Sequence, residues 1–344
     1  MSLERYQARA QSNACAVYSA RMTCTTHHRE NSAHRCVCAL LISLCSVMMC
    51  MLVACGGSAA PAPTTANRAK PLVFAANPPI ASFVDALAGD AVTVITPWSA
   101  HAGDPAQWLP TSAEIRSVAA CDLIVLNGAG YEPWTEQAAL PRARVLVSSE
   151  SKRDRYITES GSVHSHGPQG EHSHGATAST TWLSMEMAQT QLDAIAQRLT
   201  QLLPTQRESI ESNRVALQAR LHALSTSVRA TSARRPHWFA SHPVYQYLAQ
   251  EGGLVIDSMH WEPGEMPSDS EWETLRGLRA RDSSPVALML WEGEPGIAIR
   301  EKLAAISTNV VVFPPQGVAG ERDFVSSLER SVAAMQDAAA SSVR

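Results

Sequence analysis

The chain has 344 residues, of which 45% are hydrophobic and 17% are charged, and its formal net charge at pH 7 is −4. This length is ample for two compact cores. The acidic balance, together with the lack of a basic stripe with interleaved aromatic residues, argues against a nucleic-acid partner.

The first feature in chain order is an apolar run over residues 37–54, preceded by Arg29 and Arg35. A positive region, an apolar segment and small residues at its end predict a secretory signal over residues 1–54. The run ends in Leu-Val-Ala-Cys, which is similar to the bacterial lipobox, so we expect Cys55 to carry a lipid anchor. The alternative is a single membrane-spanning helix, since the run has borderline length. Either reading places the bulk of the chain in the cell envelope, periplasmic or on the outer surface.

Residues 55–70 are rich in glycine, alanine and proline and predict a flexible tether. Residues 71–160 then alternate short apolar runs with helical patterns. The predicted strands are Leu72–Ala75, Ala91–Ile95, Leu123–Leu126 and Arg144–Val147. The predicted helices are Ile80–Leu87, Thr111–Ala119 and Glu132–Gln137. Apolar strands separated by helices predict an N-terminal lobe built on a parallel sheet.

A histidine-rich segment, residues 161–178, follows this lobe. It contains four of the twelve histidines of the chain, namely His164, His166, His172 and His174. Glycines and a proline among them predict a loop, with neither helix nor strand. Neutral imidazoles are good ligands for zinc and related metals. The repeated His-x-His spacing favours metal binding over the alternative, a disordered polar tract.

Residues 182–233 carry apolar side chains at helical spacing with few helix breakers. Pro204 predicts a break or a bend in this stretch. We therefore expect one long helix that links two lobes.

The alternation of strands and helices resumes in residues 234–344. The predicted strands are Trp238–Ala240, Leu254–Asp257, Ala287–Leu290 and Val310–Phe313. The predicted helices are Val244–Gln250, Glu271–Arg279, Ala298–Ile306 and Asp323–Ala340. The predicted fold class is α/β, with two small parallel-sheet lobes joined by a long inter-lobe helix.

Three metal-binding side chains follow the predicted strands of the second lobe. His242 follows the first strand, His260 lies beyond the second, and Glu292 follows the third. Ligands bind beyond the carboxyl ends of the strands in open α/β sheets, so this edge has the chemistry of a metal site. The alternative for each residue alone is a solvated loop side chain.

Several motifs occur together along the chain. They are Gly103-Asp104-Pro105 with Trp108, the stretch Asp122–Trp134, Trp182-Leu183, Ser241-His242 with Tyr247, the histidine-rich segment, and Glu292 at the end of a strand. In these motifs the chain resembles the metal-binding lipoproteins of bacterial zinc and manganese ABC importers, which have the cluster A-I fold of periplasmic binding proteins. The resemblance implies a monomer that captures Zn²⁺, or alternatively Mn²⁺, between its lobes and delivers it to a membrane permease.

The resemblance also implies ligand positions that this chain fills differently. Ala106 and Thr180 stand where two histidines are expected, and Pro314 stands where an acid is expected, so only His242 carries over. One interpretation is a rebuilt site, in which His242 and Glu292 bind metal with histidines of the loop. His101 and His260 are further candidates for that site. The other interpretation is an inactive central site, with metal bound by the loop alone.

Two other classes of function remain to be weighed. A zinc-storage or adhesin-type surface lipoprotein would bind metal only through the histidine-rich loop. An enzyme is not expected, because the sequence has no HExxH, no GxSxG and no glycine-rich phosphate loop.

Overall fold

The computed structural model describes residues 70–101, 103–158, 177–232, 237–261, 264–316 and 323–342, and the backbone of residues 164–165 and 171–172. The predicted signal segment, Cys55 and most of the tether lie outside the described residues. None of the helices in the described ranges is long and apolar enough to cross a membrane.

The N-terminal lobe is built on a four-stranded parallel sheet with the strand order β2-β1-β3-β4. The strands are β1 (Leu72–Ala75), β2 (Thr93–Ile95), β3 (Leu123–Leu126) and β4 (Val145–Val147). Helices α1 (Pro78–Ala88) and α2 (Ser112–Ala119) connect the first three strands. All four residues of β3 are buried, as expected for a central strand covered on both faces.

Side-chain caps fix where these two helices begin. Asn77 accepts a 2.9 Å hydrogen bond from the backbone N–H of Ile80 at the start of α1. Thr111 and Glu114 form a reciprocal capping box at the start of α2. The segment predicted as a helix over 132–137 is instead a 3₁₀ turn, Pro133–Glu136, which is too short to continue as an α-helix.

The C-terminal lobe repeats this architecture with the strand order β10-β9-β7-β8, again entirely parallel. Its strands are β7 (Trp238–Ala240), β8 (Ile256–Ser258), β9 (Ala287–Trp291) and β10 (Thr308–Val312). Its helices are α5 (Gln246–Gly252), α6 (Asp269–Arg281), α7 (Ile297–Ala305) and α8 (Phe324–Ser342). The predicted fold class, two parallel-sheet α/β lobes, is confirmed.

The stretch expected to form one linking helix is divided into α3 (Met185–Leu202) and α4 (Arg207–Ser232). The two helices pack against each other as a hairpin, in which Asp193 Oδ1 accepts bonds from Arg214 Nη1 at 2.8 Å and Gln218 Nε2 at 2.6 Å. The 3₁₀ turn Pro204–Gln206 separates them, since Pro204 cannot continue the hydrogen-bond ladder of α3. The chain therefore reverses direction where a bend was predicted.

Helix α4 is the long helix that links the two lobes. It packs against α1 of the N-terminal lobe and against α5 and α8 of the C-terminal lobe. Helix α8 also reaches back to the N-terminal lobe, where the backbone N–H of Phe324 donates a 3.0 Å hydrogen bond to Ser82 Oγ. A continuous apolar core consequently runs through both lobes.

The histidine-rich segment contains backbone pairing that its sequence did not predict. Strands β5 (His164–Ser165) and β6 (Glu171–His172) form an antiparallel ladder that places His164 opposite His172. An isolated bridge between Thr158 and Thr177 lies at the base of the segment. The prediction of a segment without strands is therefore wrong at these four residues.

Candidate metal centre

The histidines that follow β7 and β8 lie side by side because backbone pairing continues past the ends of these strands. The N–H of Met259 donates to the carbonyl of Ala240 at 2.8 Å, and the N–H of Trp261 donates to that of Ser241 at 2.9 Å. These bonds hold His260 beside His242, with ring centres 6.2 Å apart and ring planes at 80°. His242 is half-buried and His260 is exposed.

This spacing is slightly wider than two imidazoles on one divalent ion require. An imidazole nitrogen binds zinc at about 2 Å, which sets each ring centre roughly 3 Å from the ion, so two rings on one ion have centres at most about 6 Å apart. The observed separation of 6.2 Å slightly exceeds this limit. One of the rings therefore has to move before both can bind the same ion.

Glu292 lies at the same edge, directly after β9, and is half-buried. The pKa of the neighbouring Tyr245 is raised well above its usual value, by burial first and by the negative charge of Glu292 second. The Tyr245 hydroxyl donates a 2.7 Å hydrogen bond to the carbonyl of Phe313, directly after β10. The ends of β7, β9 and β10 are thus connected around Glu292.

The present arrangement is a pair with a nearby carboxylate and is not a complete site. Within the described ranges, no group of three or more His, Cys, Asp and Glu side chains lies close enough to hold a metal ion. A complete coordination shell requires side-chain movement, or ligands from the histidine-rich segment. Zinc tolerates either route, because its filled d shell imposes no geometry of its own.

The N-terminal lobe faces this edge through Asp104. Its Oδ1 accepts hydrogen bonds from the backbone N–H of Ala106 at 2.9 Å, from Gln316 Nε2 at 2.8 Å and from the Tyr131 hydroxyl at 3.4 Å. Burial, and secondly the charge of Asp104, raise the pKa of Tyr131 well above its usual value. Gln316 belongs to the C-terminal lobe, so Asp104 joins the two lobes at the cleft.

Trp182 reinforces this junction. Its indole N–H donates a 2.6 Å hydrogen bond to the carbonyl of Pro315, and its ring makes an edge contact with Tyr131 at 5.5 Å. Thr180 Oγ1 also donates to the carbonyl of Val244, shortly after β7, at 2.7 Å. Direct hydrogen bonds therefore connect this segment to the C-terminal lobe.

Comparison with known proteins shows the family of the chain. The sequence profile of the family of ZnuA, the periplasmic component A of zinc-uptake complexes, matches residues 73–338. The chain belongs to the ZnuA family. This family comprises solute-binding components of metal transport, so the expectation that the chain is not an enzyme is confirmed. The resemblance to metal-binding subunits of importers is confirmed as well.

Individual ZnuA relatives are distant. The high-affinity zinc uptake system protein ZnuA of Bacillus subtilis is 26% identical over 180 residues, which are 50% of this chain and 56% of the relative, so the match spans only about half of that protein. The crystal structure of a metal-dependent lipoprotein of Bacillus subtilis superposes with a TM-score of 0.62 at 21% identity, covering 77% of this chain and 97% of the other. The Zn(II)-bound ZnuA-like domain of Streptococcus pneumoniae AdcA gives a TM-score of 0.61 at 19% identity, covering 78% and 98%.

The three positions at which the resemblance implied other ligands show how this ZnuA-family chain departs. Ala106 lies within the 3₁₀ turn Pro105–Gln107 and has no donor atom in its side chain. The Thr180 hydroxyl is used in the bond to Val244, and Pro314 follows β10 without a side-chain donor. The carboxylate of Asp104, two residues before Ala106, is the nearest charged side chain of this turn in sequence.

The remaining predicted ligands are dispersed. His101 is exposed, with its Nε2 at 2.7 Å from Glu114 Oε1 of the α2 capping box. The pKa of Glu114 is lowered to about 2, chiefly by the backbone N–H of Thr111 and then by His101. The structure does not bring His101 to His242. The side chains of His164 and His172, and all of His166 and His174, lie outside what the structure describes.

The motif Gly103-Asp104-Pro105 gave no sign in the sequence that Asp104 joins the two lobes. The sequence also did not point to Glu132, a buried carboxylate that accepts bonds from the backbone N–H groups of Asn127 at 2.5 Å and Gly128 at 3.2 Å. Burial raises the pKa of Glu132 to about 7. No sequence signal distinguishes a buried glutamate after a strand from an exposed one.

Proposed function

We propose that this protein is the extracytoplasmic solute-binding component of a metal ABC importer, which captures Zn²⁺ at the cleft edge of its C-terminal lobe and delivers it to a membrane permease. The observation that carries the proposal is the pairing of His242 with His260 at adjacent strand ends. Glu292 at the end of β9 supplies a carboxylate beside them. The family match supports the class of protein, and the cleft edge suggests which residues bind the metal.

The histidine-rich segment is the proposed source of further ligands. Its ladder places the backbones of His164 and His172 opposite each other, which brings together two parts of the segment that each carry a His-x-His motif. His166 and His174 complete these motifs. We assign to the segment the collection of metal from dilute solution and the supply of ligands to the cleft.

Zinc is the proposed cargo in preference to manganese. Imidazole suits zinc, whereas manganese is favoured by carboxylate and carbonyl oxygens. His242 and His260 provide two nitrogen donors at the cleft edge, and the segment holds four more histidines. Titration with Mn²⁺ beside Zn²⁺ measures how strict this preference is.

Calorimetric titration of the metal-stripped protein with Zn²⁺ tests the proposal. We expect one tight site in the parent protein, loss of that site in His242→Ala, and a weaker site in His260→Ala. His101→Ala is the matched control, because His101 is engaged with Glu114 and is expected to leave the affinity unchanged. Weak binding of several equivalents, unaffected by His242→Ala, would instead support a storage or adhesin-type protein that binds metal through its loop.

Membrane anchorage through Cys55 is a separate part of the proposal. The Leu-Val-Ala-Cys sequence predicts that acylated Cys55 becomes the mature N-terminus and holds the protein on the membrane. Cys55→Ser should release the protein from the membrane fraction into the soluble envelope fraction. Retention of the variant on membranes would show that another segment anchors the protein.

A further inference from the structure

We propose that Asp104 is the metal ligand contributed by the N-terminal lobe, in place of the donor that Ala106 lacks. This inference rests on the proposed function, since it adds a residue to the same site. The proposed site then has ligands from both lobes, and the N-terminal lobe contributes a carboxylate oxygen.

The hydrogen bonds of Asp104 leave one of its two carboxylate oxygens available. Ala106, Gln316 and Tyr131 all donate to Oδ1, at 2.9, 2.8 and 3.4 Å. No described residue donates to Oδ2. Three donors on a single oxygen fix the orientation of a carboxylate, and outer-shell bonds of this kind orient the ligands of metal sites. The hydrogen bonds that would orient Asp104 as a metal ligand are thus already formed.

The partners of Asp104 place it at the edge that carries the other candidates. Gln316 lies shortly after β10, and β10 is the neighbour of β9, which ends at Glu292. Strand β7, which precedes His242, is the next strand in the sheet. Neighbouring strands are about 4.8 Å apart, so Asp104 contacts the sheet edge roughly two strands from His242.

The two edges have to approach each other to complete the site. Asp104, Glu292, His242 and His260 are not yet grouped within ligand distance of one point. Gln316 is held to Asp104 and belongs to the C-terminal lobe, so the turn that carries Asp104 is already tied to the side it must approach. Two imidazoles and two carboxylates would then surround a divalent ion and neutralise its charge.

This ligand set has a consequence for the choice of metal. Carboxylate oxygens favour manganese more than imidazole nitrogens do, so Asp104 narrows the preference for Zn²⁺ over Mn²⁺. Removing its charged oxygen should therefore weaken the binding of Mn²⁺ more than the binding of Zn²⁺.

Asp104→Asn is the sharpest test, because asparagine keeps a carbonyl oxygen that can accept the three bonds and replaces Oδ2 with an amide nitrogen that donates. We expect Asp104→Asn to lose about tenfold or more in Zn²⁺ affinity, to lose more in Mn²⁺ affinity, and to keep the melting temperature of the metal-free parent. Asp154→Asn removes the same charge from an exposed carboxylate that has no hydrogen bond within the described residues, and its affinities should equal those of the parent.

Gln316→Ala separates ligation from support. Loss of one of three donors leaves Oδ2 in place, so Gln316→Ala should weaken Zn²⁺ binding less than Asp104→Asn does. Parental Zn²⁺ and Mn²⁺ affinities in Asp104→Asn, with loss of the site in His242→Ala, would overturn the assignment of Asp104 alone. The lack of any tight site in the parent protein would overturn both this inference and the proposed function.

Discussion

The hydroxyl of Ser184 donates a 2.8 Å hydrogen bond to Oε2 of Glu251. Ser184 caps the start of α3, and Glu251 lies on α5 of the C-terminal lobe, so this bond ties the two lobes together behind the cleft. Ser225 of the linking helix α4 donates to the other oxygen of Glu251 at 2.6 Å. The side chain of Glu251 is only 3% exposed, and it accepts hydrogen bonds from two other helices, α3 and α4.

Replacing Glu251 with alanine should destabilise the protein through both hydroxyls. Ser184 and Ser225 would lose a buried acceptor, and unsatisfied buried donors cost about 1–3 kcal/mol each. We expect the free energy of unfolding of Glu251→Ala to fall by about 2–4 kcal/mol in urea denaturation. Glu273→Ala removes an exposed carboxylate from the surface of α6 and is the control. Equal denaturation midpoints for the two variants would show that Glu251 does not hold the helices together.

Gly128, two residues after β3, has no room for a side chain. Its φ is +90°, and an added Cβ would lie 2.7 Å from Ser149 Oγ and Val147 Cγ1 and 2.8 Å from the Tyr156 hydroxyl. Gly128→Ala should therefore cost about 3 kcal/mol or more in stability. Gly130→Ala is the matched control, because Gly130 has φ of +76° but open space around its Cβ position.

Gly130→Ala should lower the free energy of unfolding only by the strain of a left-handed backbone, about 1–2 kcal/mol. Chemical denaturation of both variants measures the difference. If the two alanine variants unfold at the same urea concentration, steric contact at Gly128 contributes nothing beyond backbone strain.

Glu132 makes stability depend on pH. Its folded pKa of about 7 exceeds the usual 4.5 because of burial, so the folded protein binds more protons than the unfolded chain between these values. The contribution of protonated Glu132 to the free energy of unfolding is therefore fully present below about pH 4.5 and is lost as the pH rises to about 7. A shift of this size corresponds to on the order of 3 kcal/mol.

The variant Glu132→Gln should lack this dependence. The difference in unfolding free energy between parent and variant, measured between about pH 4.5 and 8, isolates the titration of Glu132 because other groups are common to both proteins. We expect the parent to lose stability relative to Glu132→Gln as the pH rises. A difference that is constant over this range would show that Glu132 is ionised throughout.

Zinc affinity should fall in mildly acidic solution. Imidazoles must be neutral to coordinate a metal, and an unperturbed histidine titrates near pH 6.5, so protons compete with Zn²⁺ at His242 and His260 below about pH 6. Titrations in buffers from about pH 8 to 5.5 measure this competition. An affinity that stays flat over this interval would rule out histidine ligation.

The apolar runs predicted most of the fold. Predicted strands such as Leu72–Ala75 and Trp238–Ala240 coincide with observed ones, since short Val, Ile and Leu runs between helical patterns leave few alternatives. The reversal at Pro204 was not predictable, because periodicity shows that a helix breaks but not the direction in which the chain leaves. Tertiary packing on α4 determines that direction.

The candidate site was predictable only in part. His242, His260 and Glu292 come shortly after predicted strands, and ligands bind at the carboxyl edge of a parallel sheet, so the sequence identified them as candidates. Asp104 and Gln316 are 212 residues apart, and nothing local in either segment indicates their bond. Hydrogen bonds over such separations are properties of the folded packing and leave no spacing pattern in the sequence.

The packing of α4 against both lobes bears on the energetics of metal capture. A binding protein that must first populate a rare closed form loses apparent affinity in proportion to that rarity. Here the lobes are already connected by the linking helix and by the bonds of Asp104, Trp182 and Thr180, so the approach of the two edges that completes the proposed site starts from lobes already in contact. Under the proposed function, the same connections would hold a captured ion in place, and the free energy for its release would have to come from the permease that receives it.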